Sequence, residues 1–323
     1  MLKGDGRMKH TPKILVLGGI VMDLIFDVPE WPVLRKAVQA SRFVMQPGGK
    51  GLNQAIAAAR LGADVSVISA IGQDHLGDLL LEELEKNGVD YQLVDRSSAA
   101  DTDICGVVIL NSEPGFIGGK MASQTVDARL VNRAESFIKS VDVIMATGEV
   151  PLSAVEAAFS IARKYKVTTV LNPAPPERLK NNILSLTDYI VPNEWEASIV
   201  AGTEPGGFLS TERIARKLRQ AKVGNVIITT GDLGSRALIE GADEIRSFKA
   251  FDIEAVDTTG ASDAFCSALA VALAQSKNID DAVTIASAAG ALSCMRFGAA
   301  TSMPDKNMVN DFLKLKGSEA KLN

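Results

Sequence analysis

From Lys13 onward the chain alternates short apolar runs that read as buried strands with longer runs of helical periodicity. That alternation restricts it to an α/β fold, a parallel sheet with helices on both faces. Residues 13–17 form a strand that ends at Gly18-Gly19, and residues 65–71 form another. Between them, residues 51–61 are alanine-rich and helical, with Gly62 as the stop. Asp74 caps a helix over residues 76–87 that ends at Gly88. The unit returns as a strand at 141–146 followed by a helix at 151–165, in which Pro151 suits a first helical position. Strands at 167–171 and 189–191, a helix from Glu194, a helix at 211–221 and a strand at 226–230 follow.

Two stretches, residues 24–46 and 103–119, break the rhythm with short β-like runs at 24–28, 43–45 and 106–110 and no helix between them. They are either inserted strands that cover the C-terminal edge of the sheet, where open α/β proteins bind ligands, or long surface loops. Residues 1–12 are polar, with Met8 as an alternative start, and read as a tail or tag; residues 317–323 read as a C-terminal tail. Residues 13–316 are then one domain, which suits a chain of 323 residues with 46% hydrophobic content.

Composition removes several function classes. The net charge of −5, without a basic patch, argues against nucleic-acid and anionic-membrane partners. No run has the apolar length of a membrane span, and the N-terminus lacks a signal-peptide core. Cys105, Cys266 and Cys294 are too few and too scattered for a disulfide framework or a zinc site, which points to a reducing cytoplasm. His10 and His75 have no metal-ligand partner, and Trp31 and Trp195 read as packing residues. Walker, nucleophile-elbow and dinucleotide-binding glycine motifs are all absent.

The stretch richest in chemistry is Val256-Asp257-Thr258-Thr259-Gly260-Ala261-Ser262-Asp263-Ala264-Phe265, read as a strand end running into a small-residue helix. Small residues there expose backbone N–H groups to an anion while an acid stands beside it, the local chemistry of phosphoryl transfer to a hydroxyl. Ordinary helix capping produces the same pattern. The turn Gly48-Gly49-Lys50-Gly51-Leu52-Asn53-Gln54-Ala55 is equally two-sided: a site for a polyol or common loop chemistry.

Together these two stretches resemble the paired signatures of the ribokinase-like, or PfkB, carbohydrate kinases. Asn172-Pro173-Ala174-Pro175, Pro192-Asn193-Glu194-Trp195-Glu196, Thr229-Thr230-Gly231-Asp232-Leu233-Gly234-Ser235 and Arg296-Phe297-Gly298-Ala299-Ala300-Thr301-Ser302-Met303-Pro304 stand in the family's order between and after them. The resemblance, nearest to the ribokinase branch, implies a Rossmann-like αβα sandwich with a small β-sheet lid that doubles as a homodimer interface. It implies transfer of the ATP γ-phosphate to a primary hydroxyl of a pentose or related sugar. Nucleoside, fructose and ketodeoxy-sugar kinases are the alternatives within the family, and a catalytically weak sugar or nucleotide sensor is the alternative outside enzymology.

Carried onto this chain, the resemblance makes Asp263 the base, with the backbone of Gly260, Ala261 and Ser262 completing an anion hole. Asp23, Gly48, Gly49, Lys50, Asn53 and Glu149 fall on the sugar side. Asn193, Glu196, Thr230, Gly231, Gly234 and Ser287 fall on the nucleotide side, with Glu196 linked to magnesium (Mg2+). Asp257, Thr259, Ser293, Arg296, Gly298 and Ser302 would hold a potassium-type cation (K+). Without the family, Asp23 reads as a turn cap, and Asn193 with Glu196 as helix capping.

Three departures stand out. Ser262 replaces the family's usual glycine, which matters if that residue needs positive φ and is tolerated if its backbone is helical. In the latter case its hydroxyl is also placed to donate to a phosphate. Val21 stands where ribokinases commonly carry asparagine, removing one polar contact to the sugar. Pro32-Val33-Leu34-Arg35-Lys36 replaces the family's Pro-x-x-Gly-Glu, so Arg35 and Lys36 either face a substrate phosphate or are exposed lid charges.

Overall fold

The computed structural model describes residues 10–323 apart from 112, 120, 207, 208 and the side chain of residue 114. The first nine residues, with the alternative start at Met8, lie outside it. Strands β1 (Lys13–Leu17), β2 (Val21–Asp27) and β3 (Arg42–Gly48) precede helix α1 (Lys50–Arg60). Next come β4 (Asp64–Gly72), α2 (His75–Lys86), β5 (Asp90–Ser97), and a hairpin of β6 (Ile104–Leu110) and β7 (Glu113–Gly119). The short helices α3 (Ala128–Arg133) and α4 (Glu135–Ile138) lead to β8 (Val143–Thr147), α5 (Leu152–Tyr165), β9 (Thr168–Asn172), α6 (Asn181–Ser185) and β10 (Tyr189–Ile190). Helices α7 (Glu194–Val200) and α8 (Thr211–Gln220) come before β11 (Asn225–Thr229), β12 (Ser235–Leu238) and β13 (Ile245–Phe248). Helices α9 (Ala261–Ala274), α10 (Ile279–Cys294) and α11 (Lys306–Leu315) complete the chain.

The main sheet has the order β13-β12-β11-β10-β9-β8-β1-β4-β5. It is parallel from β5 to β11, and β12 and β13 add antiparallel at one edge. Each central strand feeds two cores by alternation. In β1, Ile14 and Val16 face the layer that holds α1, α9 and α10, whereas Leu15 and Leu17 face the layer of α5, where Phe159 is fully buried. Burial on both faces is why these strands read as unbroken apolar runs.

Several expectations change. Residues 249–260 contain no strand: Val256 N–H bonds the Cys294 carbonyl at the end of α10, and the Asp257 carboxylate accepts from Thr259 N–H and Gly298 N–H. Pro151 is the N-cap of α5, its ψ of 135° extended, and not its first helical residue. Strand β5 escapes a sequence reading because its edge position leaves DYQLVDRS half polar. Trp31 and Trp195 are 47% and 56% exposed, so neither is core packing. The expected C-terminal tail folds back: Leu322 and Ala320 are buried, and Leu322 exchanges hydrogen bonds with the Asn310 side chain. At the other end, His10 lies 2.8 Å from Asp142.

The two rhythm-breaking stretches pair into a second, four-stranded sheet, β3-β2-β6-β7, that forms a lid. Its strands run further than the β-like runs indicate, and glycine-rich β7 gives no strand signal of its own; pairing with β6 imposes it. Asp74 secures the lid's base while capping α2. Its Oδ1 accepts from Gly77 N–H (2.9 Å) and the Thr102 hydroxyl (2.7 Å), and its Oδ2 accepts from Thr102 N–H (2.8 Å). Burial alone would raise its pKa, but the bonds from Thr102 and Gly77 hold it below the ordinary aspartate value. The unfolded chain therefore binds the proton more readily. The stabilisation is complete above the unfolded pKa of about 4 and is lost as pH falls through the lower folded value. Asp74→Ala should cost about 1–2 kcal/mol in urea unfolding at neutral pH, with the gap to wild type closing in acid; a pH-independent gap would contradict this role.

Candidate active site

The turn before α1, expected to meet the sugar, is shaped by two glycines. A Cβ on Gly48 would lie 2.0 Å from Asp23 Oδ2, and Gly49 holds φ at 85°. Helix α1 starts there without a side-chain cap from Gly49. The carboxylate of Glu149, following β8, supplies one from outside: it accepts from Gly19 N–H (3.1 Å), Lys50 N–H (2.9 Å), Gly51 N–H (3.2 Å) and the Thr147 hydroxyl (3.3 Å). Glu149, expected to face the sugar, thus spends its oxygens on the backbone that builds the sugar-side turn.

Helix α9 starts at Gly260, whose φ of 81° excludes other residues cheaply. Ser262 lies within the helix and is not among the residues with positive φ, so its Cβ introduces no backbone strain. One residue on, Asp263 is 3% exposed. Its Oδ2 accepts from Asn53 Nδ2 (3.1 Å), its Oδ1 accepts from Gln54 Nε2 (3.0 Å), and Lys50 Nζ stands 3.6 Å from Oδ1. The first turns of α1 and α9 therefore meet at one carboxylate. Small residues such as Ala55, Ala58, Ala264 and Ala268 are buried in the layer the two helices share. Asn53 Oδ1 and Gln54 Oε1 are buried and have no hydrogen-bond partner among the described residues. Gln54 is fully buried, whereas Asn53 keeps a little exposure, so of the two only the Asn53 oxygen suits a ligand rich in hydroxyl donors.

The lid closes the other side. Strand register puts Asp23 beside Gln46 and Cys105 in one row, opposite in facing to Met45, Phe43 and Ile117. Burial, then the Glu149 and Asp263 carboxylates, push Asp23 up to about 7. Burial likewise lifts Glu149 to about 7. Burial would lower Lys50, but Asp263, Glu149 and Glu196 outweigh it and hold the ammonium above the ordinary lysine range. Val21 is buried, with its methyl group against the Gly49 turn. Arg42, at the far end of β3, reaches over the Phe297 ring (5.2 Å to its centroid) and so spans from lid to body. Lys36 pairs with Glu30 at 2.6 Å, and Arg35 is exposed, which fits lid surface charges.

Behind the first turn of α9 lies a cavity of about 570 Å³. Of the expected nucleotide residues, Asn193, Gly231, Gly234 and Ser287 line it, as does Ser262. Thr229 lines it where Thr230 was expected. Phe251, Ile253, Phe265 and Ala291 give it an apolar wall suited to a planar base. Gly234 is required there, since a Cβ would meet the Phe248 carbonyl at 2.0 Å and φ is 96°. Asn193 and Glu196 complete a capping box on α7, each side chain accepting from the other's N–H at 2.8 Å. Glu196 is not among the lining residues; burial raises its pKa.

Asp257 ties the expected cation segments together through Thr259 and Gly298. Ser293 and Ser302 turn their hydroxyls to the carbonyls of Gly290 (2.8 Å) and Ala299 (2.9 Å), and Arg296 N–H bonds the Ser293 carbonyl. Among the described residues no cluster of three or more His, Cys, Asp or Glu is suited to a metal ion. The sequence reading missed Gln54, Gln46 and Cys105. Gln54 stands inside the recognised turn, whereas Gln46 and Cys105 join the site only through strand register.

Known proteins share this fold and sequence pattern. The model of the pfkB family carbohydrate kinases matches residues 11–306. A ribokinase of Haemophilus influenzae is 34% identical over 302 residues, covering 93% of this chain and 98% of its own. A deoxyribokinase of Salmonella typhi is 30% identical over 94% of this chain and 99% of its own. The structure of Arabidopsis thaliana ribokinase complexed with ribose and ATP superposes with a TM-score of 0.88 at 25% identity, covering 94% of this chain and 99% of that one. The chain belongs to the PfkB family of carbohydrate kinases.

Proposed function

We propose that this kinase transfers the γ-phosphate of ATP to the primary hydroxyl of a pentose, with Asp263 as the base. The observation that carries this reading is the position of Asp263: its carboxylate faces the Lys50 and Asn53 turn, while the preceding residue, Ser262, lines the large cavity. A phosphoryl group passing between sugar and nucleotide crosses the first turn of α9. There the N–H groups of Gly260, Ser262 and Asp263 offer charge stabilisation at the helix N-terminus, while the Ala261 N–H donates to the Thr258 carbonyl (3.2 Å) and shapes the turn. Asp263 orients the hydroxyl and takes its proton late in a loose transition state, and Lys50 keeps positive charge beside it. Asp23 accepts hydrogen bonds from sugar hydroxyls, and Gly48 and Gly49 allow the backbone close to the ring. Glu149 contributes indirectly, by fixing the start of α1.

Asn193, Gly231, Gly234 and Ser287, with Thr230 supporting the adjacent loop, hold the nucleotide. Glu196 is the residue that would meet magnesium riding on the phosphates through its water shell, a binding mode that needs few protein carboxylates; the ion would neutralise phosphate charge. Oxygens of Asp257, Thr259, Ser293, Arg296, Gly298 and Ser302 would hold a monovalent cation against the anion-hole loop. The absence of strain at Ser262 favours an enzyme over a weak sensor. Val21 offers no hydrogen bond, so a pentose and its 2-deoxy counterpart are both candidate substrates, in keeping with the ribokinase and deoxyribokinase relatives. The three free cysteines suit a reducing cytoplasm.

The exposed outer lid residues Phe43 (56%), Met45 (46%) and Ile117 (63%) support a homodimer in which a second copy covers this apolar face.

A coupled assay across pentoses, deoxypentoses, hexoses and nucleosides, with and without potassium, tests the assignment. Pentose-dependent ADP formation is expected, and Asp263→Asn should lower turnover roughly 100- to 10,000-fold while ATP still binds. Near-normal turnover in that variant would remove Asp263 from its role. Because an ionised Asp23 accepts on both oxygens and it sits at about 7, as does Glu149 beneath the turn, kcat/KM for sugar should fall at least tenfold per pH unit below ~7. A flat profile between about pH 5.5 and 8 would exclude Asp23. Sedimentation should show a dimer that Phe43→Asp with Ile117→Asp converts to monomer; an unchanged dimer would place the interface elsewhere.

A further inference from the structure

Gln54 has no assigned part in the reaction, yet its surroundings are unusual for a core residue. It is fully buried on the second turn of α1, and its Nε2 donates in two directions. One bond runs to Asp263 Oδ1 at 3.0 Å and the other to Asn172 Oδ1 at 3.1 Å. Asn172, 1% exposed at the end of β9, donates its own Nδ2 to the Val191 carbonyl at 2.9 Å. A continuous line of buried hydrogen bonds thus runs from the backbone at the sheet's C-terminal edge, through Asn172 and Gln54, to the carboxylate of Asp263. The backbone is fastened in parallel, because the Ser267 hydroxyl lies 2.9 Å from the Gln54 carbonyl and 2.8 Å from the Asp263 carbonyl.

The acceptor end of the same amide argues against a purely stabilising role. Gln54 Oε1 is buried without a partner among the described residues, and a buried orphan oxygen costs stability. An apolar side chain of similar shape would fill the space without that cost. What it would not do is hold one carboxylate oxygen at a fixed place and leave the other to Asn53.

We propose that Gln54, held by Asn172, is a positioning residue that sets the orientation of the Asp263 carboxylate toward the sugar hydroxyl. The inference rests on the reading of Asp263 as the base. Two N–H donors, one on each oxygen, fix the plane of the carboxylate, and rotation about its side chain is then restricted to the orientation that the entering hydroxyl meets. Asn172 keeps the Gln54 amide from turning its oxygen toward Asp263, which would repel the carboxylate.

Gln54→Met preserves volume and removes the donor. It should lower kcat roughly 10- to 100-fold, with KM for ATP and for sugar within about twofold of wild type. Asn172→Ala leaves the Gln54 donor in place but unanchored and should lower kcat in the same direction by less. The deciding measurement is a double-mutant cycle in turnover with Asp263→Asn. If Gln54 acts through the carboxylate, Gln54→Met adds little to the loss already caused by Asp263→Asn. If the two losses multiply in full, Gln54 acts through the fold alone and the proposal is overturned, as it is if Gln54→Met alone leaves kcat unchanged. Should Gln54→Met fail to fold, the Asn172→Ala cycle with Asp263→Asn decides by the same criterion. Failure of the base assignment itself is a separate outcome, since it appears as high turnover in Asp263→Asn alone.

Discussion

Two helix N-termini aimed at one buried carboxylate are the constraint on which the rest of the site depends. The chain brings α1 and α9 together although 210 residues separate Asn53 from Asp263. Their contact must be close for short side chains to reach, and alanines with the Ser267 bond make it so. A carboxylate this deep is tolerable only with compensating donors, and Asn53, Gln54 and Lys50 supply them. The group is therefore held in one orientation at the junction of α1 and α9, one residue from the cavity that Ser262 lines.

Around that junction, charge is managed by backbone as much as by side chains. Glu149 replaces the missing N-cap of α1, and Asp257 gathers two loops beneath the anion-hole turn. The same economy appears at the lid, where one aspartate, Asp74, serves both as a helix cap and as a tie to Thr102 at the lid's base. At α7 Asn193 does similar double duty, capping the helix while lining the cavity behind α9. Capping and ligand binding are thus not competing explanations here, since an N-terminus that caps itself from one side leaves its remaining N–H groups to a phosphate.

Much of this was legible in the sequence, for identifiable reasons. Strands buried on both faces announce themselves as apolar runs, so β1, β4, β8 and β11 could be placed within a few residues. The lid's location followed from broken periodicity, and the paired signatures at Gly48 to Ala55 and Val256 to Phe265 come together at the Asp263 carboxylate. What was not legible depended on long-range partners. Strand β7 exists because β6 pairs with it. Glu149 turns toward the start of α1 because four donors converge there, a fact with no local signature. The conformation of Ser262 required the helix boundary, and the row of Asp23, Gln46 and Cys105 required the register. The strand expected before Asp257 failed because the carbonyl of Cys294 at the end of α10, and not a neighbouring strand, satisfies the Val256 and Asp257 N–H groups.

The most direct measurement of the central claim is a crystal structure of the ternary complex with a pentose and a non-hydrolysable ATP analogue. The account predicts the sugar's primary hydroxyl within hydrogen-bond reach of an Asp263 oxygen, and the terminal phosphate over the first turn of α9, at the N–H groups of Ser262 and Asp263 on the cavity side. A pentose bound away from Asp263, or a terminal phosphate directed away from the first turn of α9, would contradict it.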